Sequence, residues 1–311
     1  MDIKNKILHI CHNHYRCLLS LPNVVGVGLG HKWINGVNTL EPCLHVLVEN
    51  KMNPSYISNQ HLIPKAYMGI KTDVLDLEMS TTNPPPSSNN NLNSKIRPLE
   101  GGYGICSFNK EYAFGSGTIG CIVMKKGIVS NDHFILSNYH VLVKNKKKLS
   151  VMQPPPSGGG SVKDKIGTVT DFVHIKPHSE IHSYTNYVDC AIAKISSSLK
   201  SNKIALVGKV TGVSEVSLEL KVKKVGKTSG LTHGIVTSIG ATIVTKIDGQ
   251  KATFKDQIIA TTSSSPGDSG SVLLNEKNEV VGLLMGENTQ GKSSFNDINT
   301  VFKLLKVELY K

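Results

Sequence analysis

Arginine is nearly absent from this chain of 311 residues, which contains only Arg16 and Arg97. The guanidinium group forms the paired hydrogen bonds by which proteins most often recognise bases and phosphates, and lysine does not reproduce that geometry. The formal net charge of +12 therefore comes almost entirely from lysines, which are spread along the sequence and are densest at 144–148. Nucleic-acid binding is consequently a minor alternative, kept open by the charge alone.

The chain also has few features of membrane or secreted proteins. No apolar run reaches the roughly 20 residues that a membrane-spanning helix needs. The first residues lack a clean apolar segment followed by a small-residue cleavage site, so no signal peptide is predicted. Six cysteines in 311 residues are too few for a disulfide scaffold. We therefore expect a cytoplasmic, reducing setting without membrane attachment.

Aromatic residues make up only 5% of the chain, whereas valine, isoleucine, threonine and glycine are plentiful, which favours β structure. Residues 79–95 are low-complexity proline, serine and asparagine, and we interpret them as a linker. The linker separates a small α+β domain at 1–78 from a mainly β domain at 96–311. The short strands and turns of the larger domain predict a barrel or a sandwich.

Local patterns predict individual elements in both domains. In the first, they predict a helix over 3–19, strands over 24–30, 44–48 and 72–77, and a turn at Asn35-Gly36. In the second, they predict strands over 118–124, 134–136, 166–173, 190–195, 234–245, 252–261, 271–274 and 280–285, a hairpin tip at Asp248-Gly249, and a helix over 295–310.

The segment SSSPGDSGS at 263–271 puts Asp268 and Ser269 between two glycines, directly before an apolar run. A Gly-Asp-Ser-Gly turn can present a nucleophilic hydroxyl and direct the N–H groups of Gly267 and Ser269 toward one oxyanion. The same four residues also suit an ordinary turn that leads into a hairpin. The segment alone leaves both alternatives open.

Hydrolysis by a serine also needs a base and an acid that orients the base. His140 comes directly after the apolar strand predicted at 134–136, where a side chain can be held rigidly. Asp189 enters another apolar strand, where a carboxylate is costly unless a donor such as an imidazole N–H satisfies it. Taken singly, His140 also fits a structural histidine, and Asp189 fits a turn residue at a strand edge.

Together, these segments resemble those of the chymotrypsin-like (trypsin-fold) serine peptidases. SNYHV resembles the family's histidine motif, VDCAIAKI its aspartate motif and PGDSGS its nucleophile loop, in the order His140, Asp189, Ser269. EGGYGI, GSGTIGCIV and KVGKTSGLTHGIV further resemble the bacterial, non-digestive branch, and the segment 24–30 resembles a small leading domain of some members. The resemblance covers residues 96 to about 290 well and 20–78 more loosely.

The resemblance implies a double β-barrel serine endopeptidase that needs no cofactor and acts on proteins or peptides. Ser269 would be the nucleophile, His140 the general base and Asp189 the orienting carboxylate, with the oxyanion hole formed by the N–H groups of Gly267 and Ser269. The leading domain would be regulatory, covering the cleft or docking a partner protein. A catalytically silent binding module of the same fold is the alternative.

The resemblance also assigns residues that contact an extended substrate. They are Ser263, near the floor of the primary specificity pocket, and the strand residues Leu284, Met285 and Gly286. A serine at 263 gives no support for a preference for arginine or lysine. It favours a small or medium apolar side chain, which Glu287 could alter.

Asp268 is expected to shape the oxyanion loop without joining the chemistry. In zymogens of the family the corresponding aspartate pairs with a newly exposed N-terminus, whereas in the bacterial branch it pairs internally. The sequence does not identify its partner. Activation by cleavage in the linker therefore stays open.

The segment HICHNHYRC carries residue types that bind zinc, at His9, Cys11, His12, His14 and Cys17. On a helix, only pairs three or four residues apart face the same side, and no second ligand group follows at the usual spacing. A polar helix face is therefore favoured over a metal site, and no metal is predicted.

Overall fold

Strands dominate the computed structural model of the protein, which describes residues 2–76, 91–109, 112–127, 131–144, 147–179, 182–247, 249–286 and 292–311. Among these residues, no helix is both long and apolar enough to cross a membrane. The strands form two barrels, and a smaller N-terminal part that also contains helices precedes them. The expected mainly β architecture is confirmed.

The N-terminal part begins with two short helices instead of the single helix predicted over 3–19, because the backbone leaves helical geometry at His14 (φ −122°). A hairpin then turns at Asn35 and Gly36, whose positive φ values of 50° and 79° suit a tight two-residue turn, as predicted. The elements are α1 Ile3–Asn13, α2 Arg16–Leu19, β1 Val24–Ile34, β2 Val37–Val48, β3 Ala66–Tyr67 and β4 Ile70–Asp76. Leu77, the last residue of the predicted third strand, lies outside the described residues.

The first barrel is built mainly from the strands that follow the predicted linker. The elements of this part of the chain are β5 Gly104–Phe108, β6 Ala113–Thr118, β7 Ile122–Lys125, β8 His133–Ser137, α3 Tyr139–Leu142, β9 Val143–Lys144, β10 Lys147–Lys148, β11 Ser150–Met152, β12 Lys165–Phe172, β13 Thr185–Asn186 and β14 Ala191–Ile195. Of these, β13 pairs with a strand of the second barrel instead. The strand predicted over 118–124 is wrong in its extent, since it is divided between β6 and β7. The chain bends between them at Gly120, where a Cβ would lie 2.7 Å from the carbonyl oxygen of Gly270.

The second barrel closes through the pairing order β18-β19-β20-β23-β22-β21-β18. The elements are β15 Lys203–Ile204, β16 Gly208–Lys209, β17 Gly212–Val213, β18 Lys221–Gly226, β19 Gly230–Ile247, β20 Gln250–Ala260, β21 Val272–Asn275, β22 Glu279–Gly286, β23 Ser293–Asp297, α4 Ile298–Leu305 and β24 Val307–Leu309. The hairpin of β19 and β20 is confirmed, although Asp248 at its tip lies outside the described residues.

The helix predicted over 295–310 is wrong in its length. The Asp297 side chain accepts a hydrogen bond from the Thr300 N–H (2.8 Å), which starts α4, and Lys306 in left-handed geometry (φ 54°) ends it. The apolar residues on either side of α4 form strands instead. β23 completes the second barrel, and β24 pairs with β7 of the first.

The N-terminal strands continue the sheet of the second barrel, because β1 pairs antiparallel with β19. The glycines of β1 permit this close approach. A Cβ on Gly26 would lie 2.8 Å from the Ile243 side chain, and one on Gly28 would lie 3.1 Å from Ala241. The Thr242 hydroxyl also donates to the Cys11 carbonyl (2.7 Å). The division of the chain into domains stays a prediction, but the structure joins the two parts tightly.

His45 on β2 forms a buried polar link to the second barrel. Its Nδ1 lies 2.6 Å from the Ser238 hydroxyl, and its Nε2 lies 2.9 Å from the His31 carbonyl oxygen. Because a carbonyl only accepts, Nε2 carries the proton and Nδ1 accepts from Ser238. Burial lowers the pKa of His45 to about 4, since desolvation penalises the charged imidazolium.

We predict that fragments 1–80 and 88–311, expressed together as separate chains, assemble into one complex. The pairing of β1 with β19 and the burial of apolar residues behind β1 and β2 should hold the two fragments together without a peptide link between them. Co-purification through a tag on the shorter fragment, followed by size-exclusion chromatography, checks this. Gly26→Val in the tagged fragment is the control and should abolish assembly. Separate elution of two folded wild-type fragments would contradict the prediction.

We also predict that the protein loses stability between pH 6.5 and 4 because of His45. In the unfolded chain the His45 imidazole takes up a proton near pH 6.5, whereas in the folded chain it does so only near pH 4. The contribution is therefore fully present above pH 6.5 and declines below it, by up to about 3 kcal/mol. Urea unfolding at several pH values should show a flatter profile for His45→Gln. The exposed His61→Gln should keep the wild-type profile, and parallel profiles for all three proteins would refute the assignment.

Candidate active site

Two glycines in left-handed geometry shape the loop that precedes β21. Gly267 has φ 102° and Gly270 has φ 93°, values that side chains other than hydrogen rarely allow. The Asp268 N–H donates to the Ser265 carbonyl (2.9 Å) and tightens the turn. Within the described parts of the chain, no acceptor faces the N–H of Gly267 or of Ser269. Both donors are therefore left for a ligand.

Asp268 is fully buried, and five donors surround its carboxylate. The Lys224 ammonium lies 3.0 Å from Oδ2 and is itself fully buried. The N–H groups of Thr228 (2.9 Å) and Ser229 (3.1 Å) donate to Oδ1, and the Ser265 N–H (3.0 Å) and the Ser229 hydroxyl donate to Oδ2. The internal partner that the sequence left unidentified is thus Lys224.

The surroundings of Asp268 keep it ionised. Burial by itself raises the pKa of the carboxyl group, but the Lys224 charge and the hydrogen bonds from Ser229 and Thr228 outweigh burial, so the pKa lies below its usual value. One sequence signal could have revealed the pair. Lys224 lies two residues after Val222, on the inward face of β18, and a lysine at a core position needs a buried acid.

His140 and Asp189 are brought together as predicted from the sequence. The Asp189 Oδ2 accepts a short hydrogen bond from His140 Nδ1, and its Oδ1 accepts from the His140 backbone N–H (3.1 Å). Asp189 is fully buried, whereas a quarter of the His140 side chain is exposed. Two residues that the sequence analysis missed fix the Asp189 backbone: Asn138 donates to its carbonyl (2.7 Å), and Asn296 accepts from its N–H (2.9 Å).

The backbones of Ser269 and His140 lie against the same face of β6, since Gly115 and Gly117 point to one side of the strand. A Cβ on Gly115 would lie 3.0 Å from the carbonyl oxygen of His140, and one on Gly117 would lie 2.8 Å from that of Ser269. The same Cβ on Gly117 would lie 2.6 Å from the Val141 side chain. The absence of side chains at these two glycines lets the short helix α3 and the loop of Ser269 pack side by side on this face of β6. The structure therefore brings the segments that carry the three predicted catalytic residues together beside β6.

The strand predicted to pair with substrate differs from expectation at its first residue. The Leu284 N–H donates to the Ser271 carbonyl (2.8 Å), and its carbonyl accepts from the Gly270 N–H (3.1 Å). Leu284 therefore holds the nucleophile loop and has no backbone group left for a substrate. Of the predicted residues, Met285 and Gly286 remain at the end of β22 as candidates for pairing.

Ser263 lies half-buried before the nucleophile loop, and its carbonyl accepts from the Thr232 hydroxyl (3.0 Å). The neighbouring Ser264 hydroxyl bonds to that of Ser293 (2.5 Å) on β23. These contacts put the hydroxyl groups of Thr232, Ser264 and Ser293 next to the predicted pocket floor. Glu287 lies outside the described residues.

Cys43, His45 and Asp73 bring three possible metal-ligating atoms within 4.8 Å of one another in the N-terminal part. Both ring nitrogens of His45 are already hydrogen-bonded, and both oxygens of Asp73 accept hydrogen bonds from the segment 32–33. The group is therefore satisfied by the protein itself and does not have the open lone pairs of a metal site.

The histidine and cysteine residues of α1 and α2 do not gather around a common point. Cys11 is fully buried, and burial raises the pKa of its thiol far above the usual range. His12 pairs instead with Asp256, at 2.6 Å. Within the described ranges, this segment supplies no group of three ligand atoms close enough to hold a metal ion.

Comparison with known proteins agrees with this geometry. The family model for the trypsin-like peptidase domain matches residues 115–283, which include His140, Asp189 and Ser269. The serine protease Do-like HtrA of Lactococcus lactis subsp. cremoris (strain MG1363) is 25% identical over 233 residues, or 71% of this chain and 51% of that protein. The chain thus spans about half the length of this curated relative.

Two solved structures are similar to this chain at low sequence identity, and the first of them shows the same fold. Nocardiopsis protease is 16% identical with a TM-score of 0.50, and the match covers 68% of this chain and 99% of that one. Thermobifida fusca protease A is 19% identical with a TM-score of 0.49, over 68% of this chain and 98% of that one. The similarity extends over about two thirds of the chain and leaves the remainder without a counterpart in them.

We predict that Lys224→Met destabilises the protein by about 3–5 kcal/mol, because it leaves the Asp268 carboxylate buried without its cation. Urea unfolding measures the change. The neighbouring, half-buried Lys223→Met is the matched control and should shift stability by less than about 0.5 kcal/mol. Adding Asp268→Asn to Lys224→Met should recover part of the loss. Equal effects of both lysine substitutions would show that the ion pair does not stabilise the loop.

Proposed function

The chain belongs to the trypsin-like peptidase family, and we propose on this basis that it is a serine endopeptidase with Ser269, His140 and Asp189 as its triad. One observation supports the proposal most directly. A histidine held by a buried carboxylate lies against the same face of β6 as a serine loop whose two N–H donors have no acceptor among the described residues. Peptide hydrolysis uses this combination of groups.

In the first half of the reaction, Ser269 Oγ attacks the carbonyl carbon of the scissile peptide bond. His140 Nε2 takes the hydroxyl proton, since Nδ1 is engaged by Asp189. The ionised Asp189 stabilises the resulting imidazolium and keeps the ring in the productive orientation. The N–H groups of Gly267 and Ser269 stabilise the negative oxygen of the tetrahedral intermediate.

In the second half, the intermediate collapses and the C–N bond breaks. His140 returns its proton to the leaving amine, and an acyl group stays on Ser269. A water molecule then attacks this ester while His140 accepts a proton from it. The bond between the acyl carbon and Ser269 Oγ breaks, His140 returns the proton to Oγ, and the carboxylate product leaves the free serine. No metal or organic cofactor is needed for either half.

We further propose that the enzyme is active without proteolytic processing. The requirement for a new N-terminus arises where the aspartate beside the nucleophile lacks an internal cation. Here Lys224 fills that place at 3.0 Å. The N-terminal part then has a structural function in extending the second barrel, which makes it an unsuitable candidate for a detachable inhibitor.

We predict that Ser269→Ala, His140→Ala and Asp189→Ala each lower peptide hydrolysis by about 10³-fold or more, because the triad acts as a unit. Hydrolysis of a fluorogenic peptide library and labelling by a fluorophosphonate probe measure this. Ser265→Ala, in the same loop, is the matched control and should keep both signals, since alanine retains the N–H that bonds to Asp268.

Intact activity in Ser269→Ala would refute the proposed nucleophile. A folded wild-type protein that neither labels nor cleaves, with or without a cut in the predicted linker, would favour the silent binding module. Retained native thermal unfolding in each variant keeps loss of activity distinct from loss of fold.

A further inference from the structure

Lys227 lies in the turn between β18 and β19, and its side chain extends toward the nucleophile loop. Its Cδ would lie 2.9 Å from a Cβ placed on Gly104, and its Nζ would lie 2.9 Å from a Cβ placed on Gly267. The amine is therefore next to one of the two oxyanion donors. Lys227 is half-buried, and within the described parts of the chain its ammonium has no hydrogen bond or ion pair.

Thr118 on β6 contacts both Lys227 and Ser269, and it shows on which side of the nucleophile loop Lys227 lies. Its hydroxyl accepts from the Lys227 N–H (3.1 Å), and its own N–H donates to the Ser269 carbonyl (2.9 Å). Leu284 contacts the loop from the other direction, through the Gly270 N–H (3.1 Å). An acyl segment that pairs with the end of β22 would therefore leave Lys227 on the side of the departing amine.

The charge of Lys227 is poorly compensated by the protein. Burial lowers the pKa of its amine, because the charged form loses hydration, and the nearby Asp268 carboxylate offsets this only in part. Asp268 is already bonded to Lys224 and to three backbone N–H groups. A half-buried cation of this kind gains most from an anion that arrives with the ligand.

We propose that Lys227 is a specificity residue that favours substrates with an acidic side chain at the first or second position after the scissile bond. The inference rests on the proposed peptidase function. A carboxylate at those positions would approach the ammonium beside Gly267, while a basic residue would meet like charge.

Internally quenched peptides test this when they are identical up to the scissile bond and carry Glu, Gln or Lys in the first two positions after it. The wild-type enzyme should cleave the Glu peptides about 5- to 20-fold faster in kcat/KM than the Lys peptides. Lys227→Met should remove the difference, Lys227→Arg should keep it, and Lys227→Glu should reverse it.

Two controls distinguish recognition from a general effect. Lys221→Met removes the same charge at the exposed far end of β18 and should keep the preference. An acyl-aminocoumarin substrate has no residue after the scissile bond, so Lys227→Met should lower its hydrolysis by a smaller factor than that of the Glu peptides. An equal loss on the coumarin and the peptides would overturn the proposal, because Lys227 would then act on the acyl side.

The outcomes also separate this inference from the proposed function. Cleavage without any charge preference after the scissile bond would refute only the assignment of Lys227. Absence of cleavage and of fluorophosphonate labelling in folded wild-type protein would refute the peptidase function and the inference with it.

Discussion

The buried ion pair of Lys224 and Asp268 anchors the loop on which the predicted nucleophile and oxyanion donors lie. Two charges removed from water are costly, and only additional hydrogen bonds make such a pair tolerable. The structure provides them from the turn between β18 and β19 and from Ser265. The same contacts fix the backbone on either side of Asp268, where Gly267 and Ser269 present their N–H groups. The predicted oxyanion donors are thus held in place by a charged pair that is not part of the proposed triad.

The features that sequence reasoning predicted correctly are mainly local or depend on single side chains. The Asn35-Gly36 hairpin follows from positive φ values that these residues tolerate, and β8, β12 and β14 follow from short apolar runs. The contact of His140 with Asp189 was predictable because a carboxylate in an apolar strand requires a donor. Each of these inferences depends on a few neighbouring residues or on one strong energetic cost.

The features that could not be predicted depend on contacts between distant segments. The apolar residues of 295–310 fit a helix, but the cap at Asp297 and the pairing of β24 with β7 divide them into strand, helix and strand. Leu284 uses its backbone to bond the nucleophile loop, which no local pattern reveals. The continuation of the sheet through β1 and β19 joins residues more than 200 positions apart. The alternation of apolar and polar residues shows which face of a strand is buried, but it does not show which other strand it pairs with.

The N-terminal part stabilises the substrate side of the cleft as well as the barrel. Met285, one of the residues predicted to pair with substrate, packs in one apolar cluster with Leu47 of β2 and with Tyr139, the residue before His140. Lys292, where the chain returns toward β23, donates to the Asp76 carbonyl at the end of β4 (2.8 Å). Since β19 pairs with β1 on one side and with β18 on the other, one hairpin connects the N-terminal strands to the oxyanion loop. Displacing β1 and β2 would therefore disturb the packing of Met285, a predicted substrate-binding residue, and would not simply expose an intact site.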